Sequence, residues 1–219
     1  MTFSIYLLLN ILKVIHIIVQ QDFLTRHINF ASPYVSQEVA LRYAQFQKAE
    51  LRDFLSASDA VGQLGALRGN LFEGYSHNVI QRGGTFDRRN LDTNVVDKVT
   101  FPAYKLIRLA SASDIANLQN NEYGLPIAKN FESIDAVSLP NNLFQMTVSH
   151  SHPTKSNGYK RVAQYMNTVP QQFFDLYFVV PPDVFTTFGK QPFHTKKKTV
   201  VKHPPNNVVQ YALKLPLTV

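Results

Sequence analysis

Short apolar and alternating runs dominate residues 86–215 and predict β-strands there. Each run is bounded by Gly, Pro, Asn or Asp, which favour the turns between strands. The pattern predicts seven strands, over residues 86–91, 105–110, 123–127, 133–139, 143–148, 173–180 and 208–215. Helical spacing of apolar positions is sparser in this part and predicts helices over residues 158–166 and 182–188.

The preceding part of the chain has the apolar spacing of helices. Residues 36–55 predict an amphipathic helix with Ser36 as its N-cap. A second helix is predicted over residues 64–79, because Gly83-Gly84 then stops the pattern. Helices followed by strands with a few crossing helices predict an α/β fold, a mixed β-sheet flanked by helices.

The N-terminus is a strongly apolar run over residues 3–19 that Asn10, Lys13 and His16 interrupt. A lysine near the centre of a membrane-spanning helix costs about 3 kcal/mol, so a buried helix is favoured over a membrane span. The sequence therefore predicts an apolar N-terminal helical segment over residues 1–31, followed by an α/β domain over residues 32–219.

Composition is that of a folded, basic protein. Of the 219 residues 45% are hydrophobic and 17% are charged, which is typical of a globular chain and excludes a disordered one. The 22 basic and 15 acidic residues give a net charge of +7, which favours nucleic acid or an acidic membrane surface as partner. The absence of cysteine excludes disulfides, thiolate nucleophiles and zinc-thiolate sites.

A predicted hairpin over residues 131–152 carries the clearest candidate site. Asp135 lies on its first strand, and Gln145 and Thr147 lie two residues apart on its second strand, so these two point to the same face. An acid that faces a polar pair across a hairpin is the frame of a metal-dependent nuclease site. Here glutamine and threonine stand where such a site usually has a second acid and a lysine.

Hydrolysis of a phosphodiester needs a divalent cation, and Mg²⁺ prefers carboxylate ligands on a rigid frame. In this hypothesis Asp135 and Glu73 supply the carboxylates, and Gln145 is a neutral ligand. Lys155 or His150 then stands beside the attacking water. The alternatives stay open, because Glu73 is also typical of a helix surface and His150 of a strand end beside a turn.

Two groups of basic residues are candidates for contacts with nucleic acid. Lys196, Lys197 and Lys198 form a run that would contact phosphates, and the alternative is a solvated hairpin end. Arg88 and Arg89 are the second group. The sequence has no Gly-x-x-x-x-Gly-Lys-Ser/Thr loop, so no nucleotide cofactor is expected.

Five sequence blocks, in their order and spacing, resemble the C-terminal half of Crinkler effector proteins and the related retrotransposon hot spot proteins. The blocks are Leu-Phe-Glu-Gly-Tyr-Ser-His at 71–77, Gly-Gly-Thr-Phe-Asp-Arg-Arg-Asn-Leu at 83–91, Ile-Asp-Ala-Val at 134–137, Leu-Phe-Gln-Met-Thr-Val-Ser-His at 143–150 and Leu-Tyr-Phe-Val-Val-Pro at 176–181. The resemblance covers residues 32–219.

The resemblance implies a restriction-endonuclease-like fold with three matching site positions. Glu73 falls where the first helix of the fold carries an acid, Asp135 on the metal-binding strand and Gln145 where the second acid or a glutamine stands. Thr147 departs from the pattern, which has a lysine there. Such proteins typically join a P-loop ATPase to this domain, and we expect that the chain lacks that half.

The resemblance also implies an effector that is secreted or delivered to a host and acts in the host nucleus. Two functions stay open. The first is an Mg²⁺-dependent nuclease acting on nucleic acid, with DNA preferred over RNA. The second is a non-catalytic module that binds DNA or a host protein, and a membrane-associated fragment is a third alternative.

Overall fold

A computed structural model of the chain describes residues 15–19, 26–32, 35, 38–39, 65–127, 131, 134–166 and 173–217. The chain divides into two compact units, Met1–Asn78 with Leu217–Val219, and Val79–Pro216. The predicted boundary between residues 31 and 32 stays a prediction. Of the predicted helix over residues 36–55, residues 38 and 39 are helical and the rest lies outside the described residues.

The first described residues of the first unit form strands, where the apolar run predicts a helix. Strand β1 (Ile15–Val19) pairs antiparallel with β2 (Arg26–Phe30). Four of the five residues of β1 are β-branched, and such side chains fit a pleated strand better than a helix. The prediction of a helical segment over residues 1–31 is therefore wrong for these two stretches. The other residues of that segment, apart from Ala31, lie outside the described part of the chain.

Helix α1 (Gly65–Arg82) matches the second predicted helix. Its buried apolar side chains recur at helical spacing and are Leu67, Leu71, Phe72, Tyr75 and Ile80. Gly83 ends the helix in the left-handed region, at a φ of +76°. A Cβ at this position would lie 2.5 Å from the carbonyl carbon of Pro102, so glycine is required. Neither α1 nor any other helix among the described residues is long and apolar enough to cross a membrane.

The second unit is built on an eight-stranded mixed sheet. Its eight strands are β3 Gly84–Asn90, β4 Val96–Phe101, β5 Lys105–Leu109, β6 Glu122–Pro126, β7 Ala136–Ser138, β8 Asn142–Met146, β10 Phe174–Val180 and β12 Val208–Lys214, and the unit also has the short strands β9 Thr154–Lys155 and β11 Phe193–His194. The order in the sheet is β4-β3-β12-β10-β8-β7-β6-β5, and β9 pairs with β11 separately. All seven predicted strands are present, which confirms the α/β class with a mixed sheet.

Three parallel strands form the centre of the sheet, with β10 between β8 and β12. Parallel neighbours need a crossover, and α2 (Ser156–Met166) lies in the connection from β8 to β10. The short α3 (Pro182–Phe185) lies in the connection from β10 to β12. Both helices contribute to the apolar core, whose members include Tyr159, Val162, Met166, Leu176, Phe178, Val184 and Ala212.

The opposite face of the three central strands carries a row of aromatic rings. The strand register places Phe144, Tyr177 and Tyr211 side by side. The rings stack with centroid distances of 5.6 Å for Phe144 and Tyr177 and 5.4 Å for Tyr177 and Tyr211. Phe101 of β4 meets Phe144 and Tyr177 edge to face. Such pairs stabilise a fold by about 0.5–1.5 kcal/mol each beyond the burial of their area.

Candidate functional site

The hairpin of β7 and β8 holds Asp135 at its open end. Asp135 directly precedes β7, and its backbone N–H donates to the carbonyl of Phe144 at 2.9 Å. Its carboxylate oxygen Oδ2 accepts the backbone N–H of Met146 at 2.7 Å. A hydrogen bond to an ionised acceptor is stronger than a bond between neutral groups. The carboxylate therefore fastens one strand of the hairpin to the other.

Gln145 is buried in β8 and bonded to the next strand along the chain. Its side chain is 2% exposed, and its Oε1 accepts the hydroxyl of Thr154 at 2.8 Å. Thr154 is fully buried in β9, directly before α2. A buried amide oxygen without a partner would cost about 1–3 kcal/mol, so this bond explains how the apolar strand tolerates a glutamine.

Thr147 and Lys155 occupy different kinds of position. Thr147 lies just past β8 and is buried, and its hydroxyl accepts the backbone N–H of Ser149 at 3.0 Å. It therefore shapes the local turn. Lys155 is exposed on β9, where its partner in the strand register is His194 of β11. The proposed place of Lys155 beside an attacking water stays a prediction.

Two buried glutamines hold the segment around His150 in place, and neither of them is predicted as a site residue from the sequence. The side chain of Gln191 donates to the carbonyl of His150 at 3.0 Å and accepts the N–H of His152 at 2.7 Å. Gln210 of β12 in turn bonds both backbone groups of Gln191 at 2.9 Å. The ring of His150 is exposed, and its Nε2 lies 2.9 Å from the hydroxyl of Thr187.

Glu73 lies on α1, in the first compact unit. Its Oε1 lies 3.9 Å from Nε2 of His77, and its side chain is 43% exposed, so water solvates part of the carboxylate. Asp135 and Gln145 belong to the second unit. The predicted convergence of the three side chains on one metal ion stays a prediction.

The oxygen donors of the hairpin are a poor fit to Mg²⁺. This ion requires near-octahedral oxygen ligands and prefers one or two carboxylates. Asp135 is the one acidic residue of residues 134–166, and its Oδ2 already accepts a backbone N–H. The Oε1 of Gln145 accepts the hydroxyl of Thr154 and adds no charge to the site. In the part of the chain that the structure describes, no three His, Cys, Asp or Glu side chains group as metal ligands.

Arg88 of β3 is held by partners within the second unit. Its Nε and Nη2 donate to the two carboxylate oxygens of Asp97 at 2.8 and 3.0 Å, and its Nη1 donates to the hydroxyl of Tyr177 at 3.0 Å. The guanidinium also lies 4.5 Å over the ring of Tyr211. The hydrogen bond from Arg88 lowers the pKa of Asp97, and burial raises the pKa of Tyr177.

Arg89 is bound to the segment around α3. Its Nη2 donates to the carbonyls of Phe185 at 2.9 Å and Phe188 at 2.5 Å, and its Nη1 donates to Oδ1 of Asn94 at 2.7 Å. These bonds satisfy carbonyl groups at the end of a short helix. Both arginines thus have a structural role in the chain, and their predicted contacts with nucleic acid stay a prediction.

Lys196, Lys197 and Lys198 lie exposed on a tight turn over residues 195–199. Within this turn the N–H of Thr195 donates to the carbonyl of Thr199 at 2.8 Å. Lys198 adopts a φ of +60°, in the left-handed region. The turn is the solvated end that one of the two alternatives predicts, and the same exposure leaves the three lysines accessible to phosphate groups.

An open cleft of about 440 Å³ lies between α2 and this turn, and we call it the basic cleft. It is lined by Asn157, Lys160, Arg161 and Lys196. Helix α2 buries the face that carries Tyr159, so its cleft residues lie on the exposed face. Only Lys196 of this set is predicted from the sequence. The others are ordinary surface residues of a helix until the fold places the lysine turn next to them.

Two Crinkler effector proteins of Phytophthora infestans are similar to the chain. Crinkler effector protein 15 and Crinkler effector protein 16 are each 27% identical to it over 208 residues, which is 92% of the chain. The matched region is 31% of each relative, so the chain spans about a third of their length. No family model and no solved structure matches the chain. Over most of its length the chain is therefore similar to two proteins that are Crinkler effectors by name.

Proposed function

We propose that the chain is a nucleic-acid-binding domain of a Crinkler-like effector, and that it binds without cutting. The observation that carries the non-catalytic part is the hydrogen bonding of the hairpin. Asp135 accepts the N–H of Met146, and Gln145 accepts the hydroxyl of Thr154. Each side chain has a structural reason to be where it is, without a metal ion.

The topology supports a restriction-endonuclease-like frame for this domain. The hairpin of β7 and β8 is followed by α2, and β10 then returns parallel to β8. Asp135 precedes the first strand of the hairpin and Gln145 lies on the second, in the order that the family resemblance implies. A frame of this kind is compatible with several functions, because function depends on the site and not on the fold.

Charge supports nucleic acid as the partner. The chain has a net charge of +7, and three of its lysines lie together on the exposed turn over residues 195–199. Lysine side chains that contact phosphates give binding that is independent of sequence and weakens with salt. DNA as the preferred nucleic acid, and delivery to a host nucleus, are proposed from the resemblance to the effector family. A host protein is the alternative partner.

An Mg²⁺-dependent nuclease is the second candidate function. The observation that favours it is the cross-strand position of Asp135 beside β8, where Gln145 lies opposite in the continued register. A nuclease would need Asp135 for cutting, whereas a binding domain would need only its hydrogen bond. The variant Asp135→Asn separates the two functions, because an asparagine oxygen can still accept the N–H of Met146.

The experiment measures binding of a labelled DNA duplex by fluorescence anisotropy at several salt concentrations. We expect the whole chain and its Asp135→Asn variant to bind with equal affinity, and the logarithm of the affinity to fall linearly with the logarithm of the salt concentration. We also expect the duplex to stay intact on a gel after incubation with Mg²⁺ or Mn²⁺. Absence of binding at low salt would overturn the binding function. Cutting that Asp135→Asn abolishes would establish the nuclease in its place.

A further inference from the structure

We infer that the basic cleft of Asn157, Lys160, Arg161 and Lys196 holds the phosphate backbone of a nucleic-acid duplex. This inference rests on the proposed function and names its binding site. The cleft is open, has a volume of about 440 Å³ and brings three cationic side chains and one amide together. Its cations come from an α-helix and from a turn more than thirty residues further along the chain. The fold therefore concentrates positive charge that the sequence keeps apart.

The two walls of the basic cleft are fixed to each other. Strand β9, directly before α2, pairs in parallel with β11, directly before the lysine turn, so that Thr154 lies beside Phe193. The ring of Phe193 is 4% exposed and packs edge to face against Tyr159 of α2, with centroids 5.4 Å apart. A site whose walls are already in place loses little conformational entropy when a ligand binds.

The lining of the basic cleft selects the chemistry of the ligand. None of its four described lining residues is aromatic, acidic or apolar. Proteins that bind single strands stack the bases on aromatic side chains, and the described lining residues include none. A helix that inserts into a membrane surface uses apolar side chains beside its cations, and the described lining has none. Lysine and arginine without such neighbours match phosphates, and a duplex has one phosphate charge per about 1.7 Å of its axis.

The test replaces the three cations of the cleft in the whole chain, as Lys160→Gln/Arg161→Gln/Lys196→Gln. Binding of the labelled duplex is again followed by anisotropy over a range of salt concentrations. Each phosphate contact contributes about 0.9 to the slope of log affinity against log salt concentration, so we expect the slope to become shallower by up to about 2.7. We expect the affinity at low salt to fall at least about tenfold. Lys196→Gln alone should change the slope by about 0.9.

The matched control makes the same change of charge at the two edge strands and one loop of the second unit, as Lys98→Gln/Lys105→Gln/Lys190→Gln. These side chains are 73%, 74% and 54% exposed and form surface ion pairs, which contribute little to stability. We expect the control to keep most of the salt dependence of the unchanged chain. Circular dichroism of both triple variants checks that they are folded.

The outcomes separate the site from the function. If the unchanged chain binds no duplex, the proposed function is refuted, and so is the role of the basic cleft as its binding site. If the unchanged chain binds the duplex and the two triple variants weaken binding equally, the basic cleft is not the binding site, while the proposed function stands. Two duplexes of unrelated sequence should bind equally. A single strand that competes as well as a duplex of the same length would refute the duplex as the preferred ligand. Cleft-dependent binding to anionic lipid vesicles, without binding to the duplex, would overturn nucleic acid as ligand.

Discussion

The hydrogen bond between Gln145 and Thr154 can be tested by a double-mutant cycle. Thr154→Val keeps the shape of the side chain and removes the donor, which leaves the Oε1 of Gln145 buried without its partner. Gln145→Met removes the acceptor and leaves the hydroxyl of Thr154 buried. The two side chains are 2% and 0% exposed and their bond is 2.8 Å long, so water cannot easily replace either partner. Each single change should lower the free energy of unfolding by about 1–3 kcal/mol.

The double variant should be more stable than the sum of the two single losses predicts. Replacing both polar groups by apolar groups of similar shape leaves no unpaired group behind, so we expect a coupling free energy of about 0.5–3 kcal/mol. Urea unfolding followed by far-ultraviolet circular dichroism and by tyrosine fluorescence measures it, since the chain has ten tyrosines and no tryptophan. Thr85→Val is a control, because the hydroxyl of Thr85 bonds that of Thr100 on an exposed face of the sheet.

The cycle also decides what Gln145 is for. Losses that simply add would show that the two side chains do not depend on each other, and the structural explanation of Gln145 would be refuted. If Gln145 were a metal ligand, addition of Mg²⁺ would raise the unfolding midpoint of the unchanged chain, and Gln145→Met would remove that rise. The control Thr85→Val should change the free energy of unfolding by no more than about 0.5 kcal/mol.

Two further predictions concern the stability of the fold. Gly83→Ala should destabilise the chain by about 2–4 kcal/mol, because the alanine would have to adopt the left-handed backbone conformation and its Cβ would lie 2.5 Å from the backbone of Pro102. Gly69→Ala should instead stabilise the chain by about 0.5–1 kcal/mol, because a Cβ at Gly69 meets nothing within 4 Å and alanine favours a helix over glycine. Urea midpoints compare the two alanine variants, and equal effects would contradict the role of Gly83. Arg88 lowers the pKa of Asp97 in the folded chain. The ion pair therefore adds to the free energy of unfolding above the ordinary pKa of an aspartate, about 3.9, and this stabilisation is lost as the pH falls through the lowered pKa. Acid unfolding of Asp97→Asn should therefore be less steep than that of the unchanged chain, and identical acid limbs would contradict the pairing.

Two of the correctly predicted strands lie inside the sheet, away from its edges. β10 and β12 have continuous or alternating apolar residues, and their predicted bounds agree with the structure to within a residue. β4 is not predicted, because it is an edge strand whose first three residues are exposed and include Asp97 and Lys98. The pattern of such a strand is set by solvent and not by the core.

The N-terminal run shows why a continuous apolar stretch is ambiguous. Periodicity alone cannot distinguish a buried strand from a buried helix, and the content of β-branched residues has to decide. The five residues of β1 are Ile-His-Ile-Ile-Val, which favours the strand. The length of the apolar run favours a helix, and a prediction that relies on length more than on β-branched content is wrong for these five residues.

The candidate site is predictable only where its residues interrupt a strand. Asp135 and Gln145 are conspicuous because polar side chains are rare in apolar strands, but the sequence cannot show that Met146 and Thr154 satisfy them. Lys160 of the basic cleft is not predicted from the sequence, because it does not depart from the pattern around it. An exposed lysine on a helix is ordinary, and its significance depends on the distant pairing of β9 with β11.

The position of β12 in the sheet has a consequence for how the chain folds during synthesis. β12 follows the other described strands in the sequence, yet it lies inside the sheet, between β3 and β10. The pair of β3 and β4 is made more than a hundred residues earlier and has no partner in the rest of the sheet until β12 has left the ribosome. Such long-range pairing is slow, and it leaves strand edges open to other chains in the meantime. A truncation or tag that disturbs residues 208–214 would therefore divide the sheet into two parts that no other described strand can join.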